Sequence, residues 1–158
     1  MREETLKVTT PDGEMSTFLV QPESGGLFAP VVLFMDVWGI REQLFDLARH
    51  IATVGYAVVV PNMYYRMGDM HFDYRRPDGS TASLKDLPEA DQQRIQEFRL
   101  HLSDEMAVAD AGALMARLAE EETLRSDVAG SIGYCMGGRH VLRVAAAYPG
   151  LFRANASL

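Results

Sequence analysis

Hydrophobic and polar positions along the chain follow two periods in turn. Between Thr5 and Gln21, the apolar residues Leu6 and Val8, then Phe18 and Val20, flank the turn cluster "PDGE" and predict two strands joined as a hairpin. The stretch "APVVLFMD" (29–36) is a continuous apolar run of strand length, the pattern of a central strand covered on both faces. In "REQLFDLARHIATVG", Leu44, Leu47, Ala48 and Ile51 fall at helical spacing, and Gly55 stands where a left-handed cap would end the helix. "YAVVVP" follows as a second buried strand closed by Pro61. Strand, helix and strand in this order form a βαβ unit, with a parallel pair and a right-handed crossover.

Periodicity is lost over 62–88, where glycine, proline, aromatic and polar residues mix, which predicts a long loop or lid. It returns in two helices. The first runs from Glu89 to Leu102 on Ile95, Phe98 and Leu102; the second runs from Ser103 to about Glu122 on Ala107, Ala111, Leu114 and Leu118. Ser103 is a natural N-cap, and Asp104 and Glu105 meet the positive end of the helix dipole. "VAGSIGY" predicts a strand, "MGGRHVLRVAAAY" a helix, and "FRANASL" the start of another strand. The alternation is that of an α/β fold with a mostly parallel sheet and an N-terminal antiparallel hairpin.

With 158 residues, 47% of them hydrophobic, the chain can bury one core, so 1–158 is expected to form a single domain. A net charge of −7 and a pI near 5.0 disfavour nucleic acid and anionic lipid, and the longest basic cluster is Arg75-Arg76. No apolar run approaches a membrane span, and "MREETLKVTTPDG" lacks the apolar core of a secretory signal, so the expected location is the cytoplasm. The single cysteine agrees with a reducing compartment and leaves a thiol available for chemistry. No pair of histidines or cysteines stands at ligand spacing, so no metal is expected.

That cysteine lies in Gly133-Tyr134-Cys135-Met136-Gly137, a G-x-C-x-G pentapeptide between a predicted strand and a predicted helix. This is the thiol form of the nucleophile elbow. The nucleophile takes a strained conformation so that its side chain stands clear of the sheet. Small residues two before and two after, Gly133 and Gly137, let strand and helix approach, and Gly138 adds close packing. At a helix N-terminus, free amides and the dipole favour the thiolate. The bland alternative is a small buried cysteine in a glycine-rich turn. A second part of the site is "MDVWGI" (35–40), at the carboxyl end of the first central strand, where open α/β sheets bind ligands. The backbone amides of Val37 and Met136 are the candidate oxyanion donors. Asp36, a carboxylate ending an apolar strand, requires a partner or a task; its bland reading is an exposed helix-entry residue.

From Gly133 to Gly138 the chain reads G-Y-C-x-G-G. With the D-G hairpin turn, the acidic residue before "VWGI", "GYAVVVPNMYYR" and the long helix before the elbow, it resembles the dienelactone hydrolase family of α/β-hydrolases. The resemblance implies an α/β-hydrolase-type three-layer sandwich, no cofactor, and hydrolysis of cyclic enol-lactones or related small esters by a Cys-His-Asp triad. It implies Cys135 as nucleophile, Val37 and Met136 as oxyanion donors, and Asp36 as the residue that holds or activates the resting thiol. The family carries Glu there, and Asp is one methylene shorter. The substrate is expected to bear a carboxylate. Arg94 in "DQQRIQE" is the matching arginine, Arg66 in "YYRMG" is its competitor, and Trp38 is a further candidate for substrate contact. The bland reading of either arginine is a solvated charge. His71, Tyr64, Tyr65 and Tyr74 could line a lid or be ordinary loop residues.

In elbow hydrolases the acid and the histidine follow the nucleophile along the chain. After Cys135 the sequence holds no Asp or Glu, and its one histidine, His140, falls within the helix begun by the elbow, below the thiol. His50 and His101 fall on predicted helices as surface residues. The expectation is therefore a piece of a longer enzyme, with the last strands and both triad partners outside these residues. The alternative is a non-catalytic binding or redox-sensing module that keeps the elbow.

Overall fold

A computed structural model of the chain describes residues 1–68, 72 and 75–158. Strands β1 (Arg2–Thr10) and β2 (Gly13–Gln21) form the antiparallel hairpin. There follow β3 (Pro30–Phe34), α1 (Glu42–Ala52), β4 (Ala57–Pro61), α2 (Glu89–His101), α3 (Asp104–Leu118), β5 (Ala129–Gly133), α4 (Met136–Ala147) and β6 (Phe152–Ser157). The six strands make one sheet in the order β1-β2-β4-β3-β5-β6, parallel from β4 to β6, with β2 joined antiparallel to β4.

The apolar runs became the centre. All five residues of β3 and all five of β4 are buried, as strands covered on both faces must be. Gly55 takes φ 98° after α1, the left-handed position the sequence reserved for it. Ser103 caps α3 by accepting a hydrogen bond from the Met106 amide at 3.1 Å. From β3 the chain steps one way to β4; from β4 to β5 and from β5 to β6 it steps the other way. Right-handed crossovers therefore set α1 on one face and α3 and α4 on the other. The packing agrees: α1 lies on β2 and β4, whereas α3 and α4 lie against each other, with α4 on β3, β5 and β6.

The reversal of direction falls between β3 and β5, the switch point at whose carboxyl ends open α/β sheets bind ligands. Three segments meet there: 35–41 after β3, the residues after β4, and the turn from β5 into α4. The described part of 62–88 is irregular apart from two short 3-10 turns, Tyr65–Met67 and Leu84–Asp86, and an isolated antiparallel bridge between Arg75 and Thr81. His71 and Tyr74 lie outside the described residues. Among the described residues no helix is long and apolar enough to cross a membrane.

Candidate active site

The β5–α4 turn is as tight as the sequence required. Cys135 precedes α4 at φ 55° and ψ −115°, left-handed backbone that a side chain rarely tolerates, and its side chain is exposed. A Cβ on Gly133 would stand 2.3 Å from the carbonyl atoms of Gly137, and one on Gly137 would stand 2.5 Å from the Phe34 carbonyl oxygen. Only glycine at both places lets α4 start directly against β5 and β3. On Gly138 a Cβ would come within 2.8 Å of Ser157 Oγ. The strained residue is held from both sides: the Cys135 amide donates to the Leu158 carbonyl at 2.8 Å, and the Leu158 amide donates to the Gly133 carbonyl at 3.0 Å. Among the described residues, Cys135 Sγ has no hydrogen-bond partner, and neither the Val37 nor the Met136 amide donates a hydrogen bond. Both amides remain available as donors at this edge of the sheet.

Asp36 has a partner, Arg41, five residues on. The guanidinium donates to both carboxylate oxygens, at 2.8 and 2.7 Å, and to the Gly39 carbonyl at 3.1 Å. The Trp38 amide adds a hydrogen bond to Asp36 at 3.0 Å, and the Gly39 amide closes the turn on the Asp36 carbonyl. The loop carrying the Val37 amide is thus built around a part-buried ion pair. Among the described residues, no hydrogen bond joins Asp36 to Cys135. The Trp38 ring turns away from solvent into a small apolar cluster with Ala82, Leu87 and Ile95, against which Val37 and Phe72 also pack. Trp38 therefore fastens the covering segment and α2 to the loop after β3.

The two candidate arginines divide. Arg66 is 8% exposed and donates to both oxygens of the fully buried Asp110 at 2.8 Å, and to Asp12 at 2.8 Å, while its guanidinium lies 4.5 Å from the centre of the Tyr65 ring. Burial works against its charge, but the hydrogen bonds it donates to the two carboxylates outweigh burial and hold its pKa above the ordinary value. Its fork is occupied by protein carboxylates, and it ties the hairpin turn, the segment after β4 and α3 together. Tyr65 belongs to the same network, its hydroxyl meeting Asp110 and Thr10. Arg94 is exposed, with its guanidinium 5.9 Å from the centre of the Phe98 ring, and among the described residues it pairs with no carboxylate.

Two residues here escaped the sequence. Tyr64, a lid candidate by its position in a loop, is 3% exposed, and its hydroxyl donates to the Val37 carbonyl at 3.2 Å and lies 3.7 Å from Met136 Sδ. Burial first, then the negative charge of Asp36, pushes its pKa up. Arg41 is the other. Its signal in the sequence was the demand that Asp36 be paired, but spacing alone does not pick it from other nearby cations. His140 is fully buried against Phe34, and burial lowers its pKa to about 4. It lies behind the elbow, as its place in α4 implied. Among the described residues, no group of three His, Cys, Asp or Glu is arranged to hold a metal.

An open, mostly parallel sheet with a cysteine on a strained strand-to-helix turn beside its switch point defines the class of α/β-hydrolases. Solved structures share that fold: a "Putative Dienelactone Hydrolase" from Klebsiella pneumoniae superposes with a TM-score of 0.79 at 21% identity, over 99% of this chain and 58% of the other. Within that class, the chain belongs to the dienelactone hydrolase family, whose model matches residues 15–157. It is similar to the carboxymethylenebutenolidase of Rhodococcus opacus, 26% identical over 140 residues, which cover 89% of this chain and 47% of the relative. The chain spans about half the length of the curated relatives it matches.

Proposed function

We propose that the protein is a hydrolase of small esters or lactones in which Cys135 is the nucleophile. The observation that carries this reading is the backbone of Cys135: φ 55° and ψ −115° on a non-glycine residue, enclosed by glycines that admit no Cβ, with the thiol left exposed. Strain of this kind is maintained where the surrounding structure over-determines it, and an exposed thiol at a helix N-terminus is the chemical return. Family membership supports the reaction class, and the family's relatives include carboxymethylenebutenolidases.

In the reaction, the Cys135 thiolate attacks the ester carbonyl carbon, and the carbonyl electrons move to an oxyanion received by the Val37 and Met136 amides. Collapse expels the alkoxide or enolate, which takes up a proton, and leaves a thioester on Cys135. Water adds to the thioester carbonyl, the carboxylic acid departs and the thiol returns. Asp36, fixed by Arg41, shapes the loop that presents the Val37 amide, and its negative charge lies on the same edge as the thiol. Arg94 is the candidate for a substrate carboxylate, whereas Trp38 packs into the cluster with Ala82, Leu87 and Ile95. His140, buried and poor in protons, is not the general base. Among the described residues none is assigned as that base or its acid partner. Turnover of p-nitrophenyl acetate and of an enol-lactone by the full-length protein tests the proposal. Activity should disappear in Cys135→Ala and after alkylation of Cys135; equal activity in Cys135→Ala would refute it.

A further inference from the structure

Among the described residues, the Tyr64 hydroxyl is the one polar side-chain group that hydrogen-bonds to both residues of the candidate oxyanion hole. It donates to the Val37 carbonyl at 3.2 Å and stands 3.7 Å from Met136 Sδ. Everything around it fixes that position. The Tyr64 amide donates to Asn62 Oδ1 at 3.2 Å, and the Tyr64 carbonyl accepts from the Met67 amide at 2.9 Å, which sets the backbone. Phe98 meets the ring edge-on, with centroids 5.2 Å apart. On another side lies Gly39, where even a Cβ would be only 3.4 Å from the ring. The segment bearing Tyr64 is itself anchored by its neighbours, Tyr65 and Arg66, on the buried Asp110. A rigid ring rooted in the chain after β4 thus reaches across the carboxyl ends of β3 and β5.

We propose that Tyr64 is a positioning residue for acyl transfer: its hydroxyl, bonded to the Val37 carbonyl and packed on Met136 Sδ, sets the spacing between the two oxyanion amides. The inference rests on the function proposed above. Its physical basis is that oxyanion donors act only when held at hydrogen-bond distance from where the charge develops, and the loop after β3 and the elbow belong to different strands. The β3–β5 ladder ends at Phe34 opposite Gly133, and beyond it no backbone hydrogen bond joins residues 36–40 to 134–136 among the described residues, so the final spacing of the two amides past the ladder rests on side chains.

The test compares wild type and Tyr64→Phe in the full-length protein by three measurements. In ester hydrolysis, kcat should fall about tenfold to a hundredfold with KM little changed, because the lost alignment matters in the transition state. The rate of Cys135 alkylation by iodoacetamide should stay within about twofold, because displacement at an sp3 carbon forms no oxyanion. The melting temperature should stay within a few degrees. A general loosening of the site would instead lower both rates together, and that result overturns the proposal, as does unchanged kcat in Tyr64→Phe. If wild type hydrolyses no ester, the proposed function fails and this inference fails with it. If wild type is active through Cys135 and Tyr64→Phe matches it, this inference alone fails.

Discussion

His140 should make this protein acid-sensitive well above the range of its carboxylates. The residue is fully buried on α4, and among the described residues neither ring nitrogen has a hydrogen-bond partner. Burial, with a smaller contribution from the Arg139 charge, lowers its pKa from 6.5 to about 4 in the folded state. The sign follows from proton uptake. Between pH 6.5 and 4 the unfolded chain binds a proton at this site and the folded chain does not, so stability rises with pH across the window. Each pH unit below 6.5 costs about 1.4 kcal/mol until the folded form titrates, so about 2 kcal/mol is lost by pH 5 and about 3 kcal/mol by pH 4. His140→Leu removes the titration and keeps an apolar side chain of similar volume against Phe34. Urea unfolding of both proteins at pH 7 and pH 5 isolates the effect, because carboxylates with lowered pKa, such as Glu3 and Asp86, are common to both and cancel in the difference. Wild type should lose about 2 kcal/mol more than His140→Leu between the two pH values. Equal losses would mean that the imidazolium finds a partner in the folded protein, and the reasoning from burial would be wrong.

The elbow stores strain that serves chemistry. Cys135→Gly should raise stability by about 1 kcal/mol in urea unfolding, since φ 55° and ψ −115° cost a side chain about 1–3 kcal/mol, while ester turnover is lost. Gly137→Ala forces a methyl group to within 2.5 Å of the Phe34 carbonyl oxygen and should destabilise by roughly 2 kcal/mol or more in the same assay, with turnover falling as α4 is pushed off the sheet. Arg66→Met leaves Asp110 buried without its cation and should cost about 3–5 kcal/mol; the double variant with Asp110→Leu should recover most of that loss, as a double-mutant cycle would show.

How much was legible divides along physical lines. The sheet could be read because its signals are local. Five-residue apolar runs such as Pro30–Phe34 and Ala57–Pro61 have no stable place but between two helical layers, and the β3-α1-β4 crossover has one favoured hand. The elbow could be read for the same reason, since Gly133, Cys135 and Gly137 act on one another within five residues. Helix ends were less sharply marked: the second long helix stops at Leu118, short of the predicted Glu122, because the apolar stripe ends there and the acidic run Glu120-Glu121-Glu122 has nothing to bury.

Local residue order therefore accounts for the succession of elements, the place of the thiol and the loop that faces it. The tertiary structure decided which side chains meet. Asp36 needed a cation, and folding chose Arg41. Arg66 and Arg94 were alike as charges on paper; one fell beside the buried Asp110, 44 residues away, and the other stayed in solvent. Tyr64 looked like a loop aromatic until β4 was laid beside β3 and its hydroxyl came onto Val37 and Met136, residues 27 and 72 positions distant. Local spacing constrains neighbours on one strand or one helical turn, whereas partners so far apart are set by strand order and by the packing of whole layers, which no short stretch of sequence encodes.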